Sequence, residues 1–206
     1  MQDQYGIESA WLPNGVDVQA CDDAVAARFC RRWKIAPGFV LWVGRMDPVK
    51  NPAEFVRLAS TLSGIQFVMV GGVTKRDIEQ ELKLPVPHNL RLLPALPHPR
   101  TLDALAAAAV VVVTSFKEGL PTLVLEAMTL QKQLVVPDEP GCLDATDGDL
   151  HALIYHHGNM QELMEVVCRS MAEPVCRQSA RSRILTQFDW RIVAAQLDRV
   201  YQGQNP

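Results

Sequence analysis

No cysteine pair at metal or redox spacing occurs in this sequence. Its five cysteines (Cys21, Cys30, Cys142, Cys168 and Cys176) are scattered, with no C-x-x-C among them. That argues against a zinc module or a dithiol redox centre and predicts reduced, buried thiols in a cytoplasmic protein. Long apolar runs are missing as well. The longest, Ala104 to Val113, is too short to span a bilayer and reads as a helix end running into a strand. The start, Met1-Gln-Asp-Gln-Tyr5, lacks the basic residues and apolar stretch of a secretory leader. Charge is nearly balanced, with 20 Lys and Arg against 23 Asp and Glu, so the chain offers no electrostatic footprint for nucleic acid. The five histidines form no Ser-His-Asp or Cys-His constellation, and no nucleophile or general base is assigned. Asp144-Ala-Thr-Asp147-Gly148-Asp149 lacks the alternating ligands and closing Glu of a calcium loop and is predicted to be a polar loop.

What is present is the material for one buried core: 48% hydrophobic and 21% charged residues over 206 positions. Six short apolar runs read as strands: Phe39–Val43, Gln66–Val70, Asn89–Leu93, Val110–Val113, Gln133–Val136 and Leu153–Tyr155. Helical patterns alternate with them. Asp22 is expected to cap a helix reaching about Lys34, Pro52 to open another, and further helices to cover Asp77–Leu84 and Pro99–Ala108. Asn159–Met171, Glu173–Gln187 and Asp189–Gln202 are predicted to be helical as well. This alternation, without hairpin signals, predicts an α/β fold: a Rossmann-like, doubly wound parallel sheet with C-terminal helices. Such sheets bind ligands at the carboxyl ends of their strands. Gly44-Arg45, Gly71-Gly72, Leu96-Pro97 and Glu118-Gly119 all fall there.

The centre of the sequence is Thr114-Ser-Phe-Lys-Glu118-Gly-Leu-Pro-Thr-Leu-Val-Leu-Glu126-Ala-Met128, which follows the all-valine strand Val110–Val113. Gly119 and Pro121 are expected to make a tight turn and Thr122 to cap the next helix. The unpaired N–H groups of the first helical turn would then favour a phosphate. Glu118 and Glu126 bracket the turn, eight positions apart. A carboxylate is acceptor-only and can hold two neighbouring hydroxyls, as a sugar or ribose presents. On their own the two read equally well as solvated charges near a positive helix end. Arg45 and Lys50 follow the first strand and could clamp two adjacent phosphates.

Glu118-Gly-Leu-Pro-Thr-Leu-Val-Leu-Glu126-Ala-Met resembles the E-x7-E signature of retaining glycosyltransferases of family four, which have the GT-B fold. Pro13-Asn-Gly-Val-Asp17 is similar to the family's interdomain segment, and Phe188-Asp-Trp190 to its closing F-[ST]-W, with Asp in place of the hydroxyl residue. The resemblance implies a division into a linker segment (1–20), a nucleotide-sugar-binding domain (21–188) and a C-terminal crossover helix and tail (189–206). It implies that Arg45 and Lys50 bind the diphosphate, that Glu118 holds the transferred sugar and that Glu126 holds the ribose. Leu120 and Thr122 would offer backbone N–H groups, Leu96-Pro97 would sit near the base, and Gly44, Gly119 and Gly141 would shape the pocket. Pro121 and Cys142 depart from the pattern, removing an amide donor and replacing a glycine that faces the donor sugar. The implied donor is a UDP-, GDP- or ADP-sugar, with neither metal nor other cofactor. The implied partner is an N-terminal acceptor domain or a separate subunit, through which any contact with a membrane surface would run. The implied activity is glycosyl transfer in glycan or polysaccharide biosynthesis. A chain holding only the donor half is expected to be inactive by itself. A non-catalytic nucleotide-sugar-binding module, a nucleotide-sugar epimerase and an unrelated flavodoxin-like domain are the alternatives.

Overall fold

Six strands pair side by side in the computed structural model, which describes residues 12–173 and 178–203. They are β1 (Val40–Val43), β2 (Phe67–Val70), β3 (Leu90–Leu93), β4 (Val110–Val112), β5 (Gln133–Pro137) and β6 (Leu153–Tyr155). All pairings are parallel and the order is β3-β2-β1-β4-β5-β6. The chain therefore leaves β1 toward one edge and returns through β4 toward the other, which places a topological switch point between β1 and β4.

Side chains alternate across this sheet, as strand geometry requires. Leu41, Val68, Val111 and Leu134 join one buried cluster, and Val40, Phe67, Val110 and Val135 join another on the opposite face. Both faces are apolar, which is why the strands read as unbroken runs. The first cluster is covered by α1 (Val18–Asp22), α2 (Ala26–Trp33), α4 (His98–Ala107), α5 (Thr122–Thr129), α6 (Pro140–Thr146) and α8 (Gln178–Arg183). The second is covered by α3 (Pro52–Thr61) and α7 (Met160–Ala172). A last helix, α9 (Trp190–Tyr201), starts at Asp189, whose side chain accepts from the Arg191 amide. Among the described residues no helix is long and apolar enough to cross a membrane.

Several local expectations are corrected. Asp22 ends α1 rather than starting a helix; Asp17 is the cap, accepting from the Ala20 amide, and the chain restarts at Ala26. The break leaves Val25 extended, its N–H given to Asp103 at 2.8 Å. Asp77–Glu81 is a single wide π-type turn, and Ile184–Phe188 is another. Asp144–Thr146, expected in a polar loop, end α6 instead, which has Pro140 at its first position, and Asp147 follows in the left-handed conformation. Cys21 and Cys142 are buried as expected, but Cys168 is exposed; Cys176 lies outside the described residues, as does the segment 1–11. Within the described residues Val16 forms a parallel bridge to Asp189, with the Val16 amide on Phe188 O at 2.8 Å and the Trp190 amide on Val16 O at 3.1 Å.

Asp103 fastens α4 to α2. Its carboxylate is buried and accepts from the Val25 amide, from both Arg28 Nε and Nη2 at 2.7 Å, and from Arg100 Nη1 at 3.1 Å. Burial opposes the charge, but these donors outweigh it and hold the carboxyl below the usual carboxylate range. A carboxyl held low stabilises the fold above its unfolded-state value, near pH 4, and loses that contribution as the pH falls through its folded value. Asp103→Asn should therefore cost about 1–3 kcal/mol at neutral pH. In urea unfolding, the gap between wild type and variant should close below about pH 4.

Candidate functional site

Lys50 is placed by a chain of buried hydrogen bonds. After β1 the backbone passes Gly44 and Arg45 to Asp47, whose carboxylate caps the single 3-10 turn Pro48–Lys50. Asn51 then takes a left-handed conformation (φ 47°) before Pro52 opens α3. The turn is tied to the end of β4 by Thr114, which is fully buried. Its hydroxyl accepts from Trp42 Nε1 at 2.9 Å and donates to the carbonyls of Lys50 (2.7 Å) and Asn51 (3.0 Å). The Phe116 amide adds a bond to Val49 O at 3.0 Å. Behind the turn, buried Glu54 accepts from Asn51 Nδ2 at 2.9 Å and from the Tyr155 hydroxyl at 3.2 Å. Burial pushes the Glu54 carboxyl up, and the Tyr155 hydrogen bond pulls it part of the way back. Held this way, Lys50 Nζ lies 2.5 Å from Glu118 Oε1.

The turn between β4 and α5 differs in detail from expectation. Lys117, not Gly119, adopts the left-handed conformation (φ 57°), and its amide is held by Glu139 Oε2 at 2.9 Å. The helix is preceded by Pro121, and Thr122 makes no side-chain cap. Asn14 Nδ2 reaches across to Leu120 O at 2.7 Å, so the segment Pro13–Asp17 braces the turn. Gly141 sits directly behind: a Cβ there would lie 2.1 Å from Gly119 O and 2.2 Å from Glu118 O. Only glycine lets α6 approach so closely. The amides of Leu120, Thr122 and Leu123 have no acceptor among the described residues, leaving donors at the positive end of α5.

The segments that follow β1, β2 and β3, with the starts of α4 and α5, surround an open-sided cleft of about 310 Å³. Of the residues picked out in the sequence, Gly44, Arg45, Lys50, Leu96, Thr122 and Glu126 line it. Glu118 stands beside it on Lys50, while Pro97 lines an adjoining cavity that shares Leu96. Gly119, Leu120 and Gly141 do not line it; Gly141 packs against Gly119, and Leu120 is held by Asn14. Arg45 is not clamped; its side chain is 83% exposed, 3.7 Å from Asp47. Gly71 shapes the floor, since a Cβ there would fall 1.6 Å from Gly44 O and its φ is 149°.

Glu126 lies one turn into α5, 8% exposed, with His98 Nε2 on its Oε1 at 2.7 Å. Burial pushes this carboxyl up, and the imidazole pulls it part of the way back. His98, one of the five histidines that form no catalytic constellation in the sequence, opens α4 and lines the cleft. Nothing local signals that contact, because it joins positions 28 apart. Among the described residues no group of three His, Cys, Asp or Glu side chains is placed to hold a metal.

A parallel sheet in this order, with a cationic cleft at the switch point, is a Rossmann-like domain of the kind found in GT-B proteins. The chain belongs to the family described as glycosyl transferases group 1, whose model matches residues 29–184. It is 27% identical over 203 residues to a glycogen synthase of Mycobacterium tuberculosis, covering 92% of this chain and 47% of the relative. A D-inositol 3-phosphate glycosyltransferase of Streptosporangium roseum is 24% identical over 182 residues, covering 80% and 42%. In fold it is similar to the Anabaena protein HepE, solved in complex with UDP, with a TM-score of 0.80, 18% identity, and coverage of 93% and 57%. The chain spans about half the length of the curated relatives it matches.

Thr114→Val keeps the shape of the side chain but strands the Trp42 N–H and removes the donor to two carbonyls. It should lower stability by about 1–3 kcal/mol in urea unfolding, while Thr114→Ser, which keeps the hydroxyl, should recover most of that.

Proposed function

We propose that this chain is the donor-binding half of a retaining glycosyltransferase that takes a nucleotide-sugar donor. One observation carries the reading. At a single cleft, two cations and the unpaired amides of a helix start stand beside a buried carboxylate. Cations and amides suit the anionic middle of a nucleotide sugar, and carboxylates suit the hydroxyl-rich groups on either side. In this reading Arg45 and Lys50 take the diphosphate. Glu126 takes the ribose, the backbone near Leu96 and Pro97 faces the base, and Glu118 meets the transferred sugar.

The Lys50–Glu118 pair gives these roles an order. Without donor, each group neutralises the other at 2.5 Å. A diphosphate draws Lys50 away, and Glu118 is then free to accept from sugar hydroxyls. As the glycosidic bond to the phosphate breaks, charge grows on the leaving diphosphate, where Lys50, Arg45 and the α5 amides stabilise it without moving far. Transfer with retained configuration also requires an acceptor site. We assign that site to a second domain of similar size, consistent with relatives about twice as long. Trp190, Ile192, Leu197 and Tyr201 on α9 leave apolar surface exposed that such a domain could cover.

Calorimetric titration with UDP, GDP and ADP tests the reading. One of them should bind saturably, and Arg45→Ala, Lys50→Ala and Glu126→Ala should each weaken it about 10- to 100-fold, the loss of one charge-assisted contact. Binding untouched by all three substitutions would overturn the assignment. Glu118→Gln should behave differently. It frees Lys50, so the nucleoside diphosphate should bind as well or better, while the extra affinity of the sugar conjugate over the bare diphosphate should shrink.

A further inference from the structure

We propose that His98 is the positioning residue that holds Glu126 ready for the ribose, an inference that rests on the reading of Glu126 just given. The carboxylate is 8% exposed, and His98 is its only hydrogen-bond partner among the described residues. The cations of the cleft do not reach it: Lys50 is on Glu118, and Arg45 is largely exposed, with Asp47 as its nearest carboxylate. From α1, Cys21 faces Glu126 with a thiol pushed up to about 12 by burial, so it brings no charge and no compensation. A carboxylate this buried, left with no donor, takes up a proton or turns away; either removes the acceptor a ribose needs.

The bond uses one oxygen, Oε1, and leaves Oε2 with no protein donor among the described residues. A carboxylate anchored at one oxygen holds the other in a fixed direction, and Glu126 and His98 both line the cleft. The imidazole is well placed for this work. It stands on the first turn of α4, fixed by the helix, with its side chain 55% exposed. His98 does not bind the ligand in this account. It acts through Glu126, and its effect is confined to recognition of the ribose hydroxyls.

The test compares UDP, GDP and ADP with their 2′-deoxy and 3′-deoxy counterparts by calorimetry, on the unsubstituted chain and on Glu126→Ala, His98→Ala and His98→Gln. For whichever nucleotide binds, the unsubstituted chain should prefer the ribo form by about tenfold over at least one deoxy form, the worth of one hydrogen bond to a carboxylate. Glu126→Ala should abolish that preference. His98→Ala should reduce it to less than about threefold, and His98→Gln, which restores an N–H donor, should keep most of it. The preference is a ratio measured on one folded variant, so a general loss of stability does not move it. If Glu126→Ala abolishes the preference while His98→Ala leaves it whole, the role of His98 is overturned and the reading of Glu126 stands. If Glu126→Ala leaves it whole, or the unsubstituted chain shows none, the reading of Glu126 falls and this inference falls with it.

Discussion

Parallel strands deliver every following loop to the same edge, and the site depends on how two of those loops are fastened together. The fastening is the Thr114 hydroxyl. It sits at the switch point, takes the Trp42 indole N–H from β1 and gives its proton to the turn that carries Lys50. Because Thr114 and Trp42 are both buried, neither the hydroxyl nor the indole N–H has water as an alternative. The loop after β1 is therefore locked to the end of β4, four residues ahead of Glu118. Lys50 meets Glu118 because the two backbones beneath them are already joined.

The buried carboxylates divide along the same line between scaffold and site. Asp103, between α2 and α4, receives four donors, two of them from one guanidinium fork, and its pKa is held low. Glu126 receives one donor, and its pKa is raised. A saturated carboxylate is a fastening. One with an oxygen to spare, at the wall of a cleft, has capacity left for a ligand. Glu54 lies between these cases, buried and raised but spent on Asn51 and Tyr155 in shaping the Lys50 turn.

Much of this was legible in the sequence, for a physical reason. Strands buried on both faces must be short and uniformly apolar, and Val40–Val43 or Val110–Val112 can hardly be read otherwise. The loops that carry Arg45, Lys50 and Glu118 could be placed at the carboxyl end of the sheet because parallel strands allow nothing else. What escaped was set by contacts between distant positions. His98 pairs with Glu126 across a strand, and Asn14 reaches a turn more than a hundred residues away. Helix Pro140–Thr146 carried no helical expectation, yet its glycine is what lets it press on Gly119. Lys117 takes the left-handed conformation beside a glycine that does not, because the Glu139 side chain holds its amide.

The Lys50–Glu118 pair has one more consequence. An open cationic pocket attracts any anion, and salt weakens it by crowding it with counterions. Here the counterion is covalently part of the chain, only partly exposed, and always at hand. In the proposed role, admitting a diphosphate would be an ion exchange, with one internal anion released as an external one enters. A site so used would turn away stray inorganic anions that bring too little to displace the resident carboxylate, and would favour a ligand that also gives that carboxylate hydroxyls to hold.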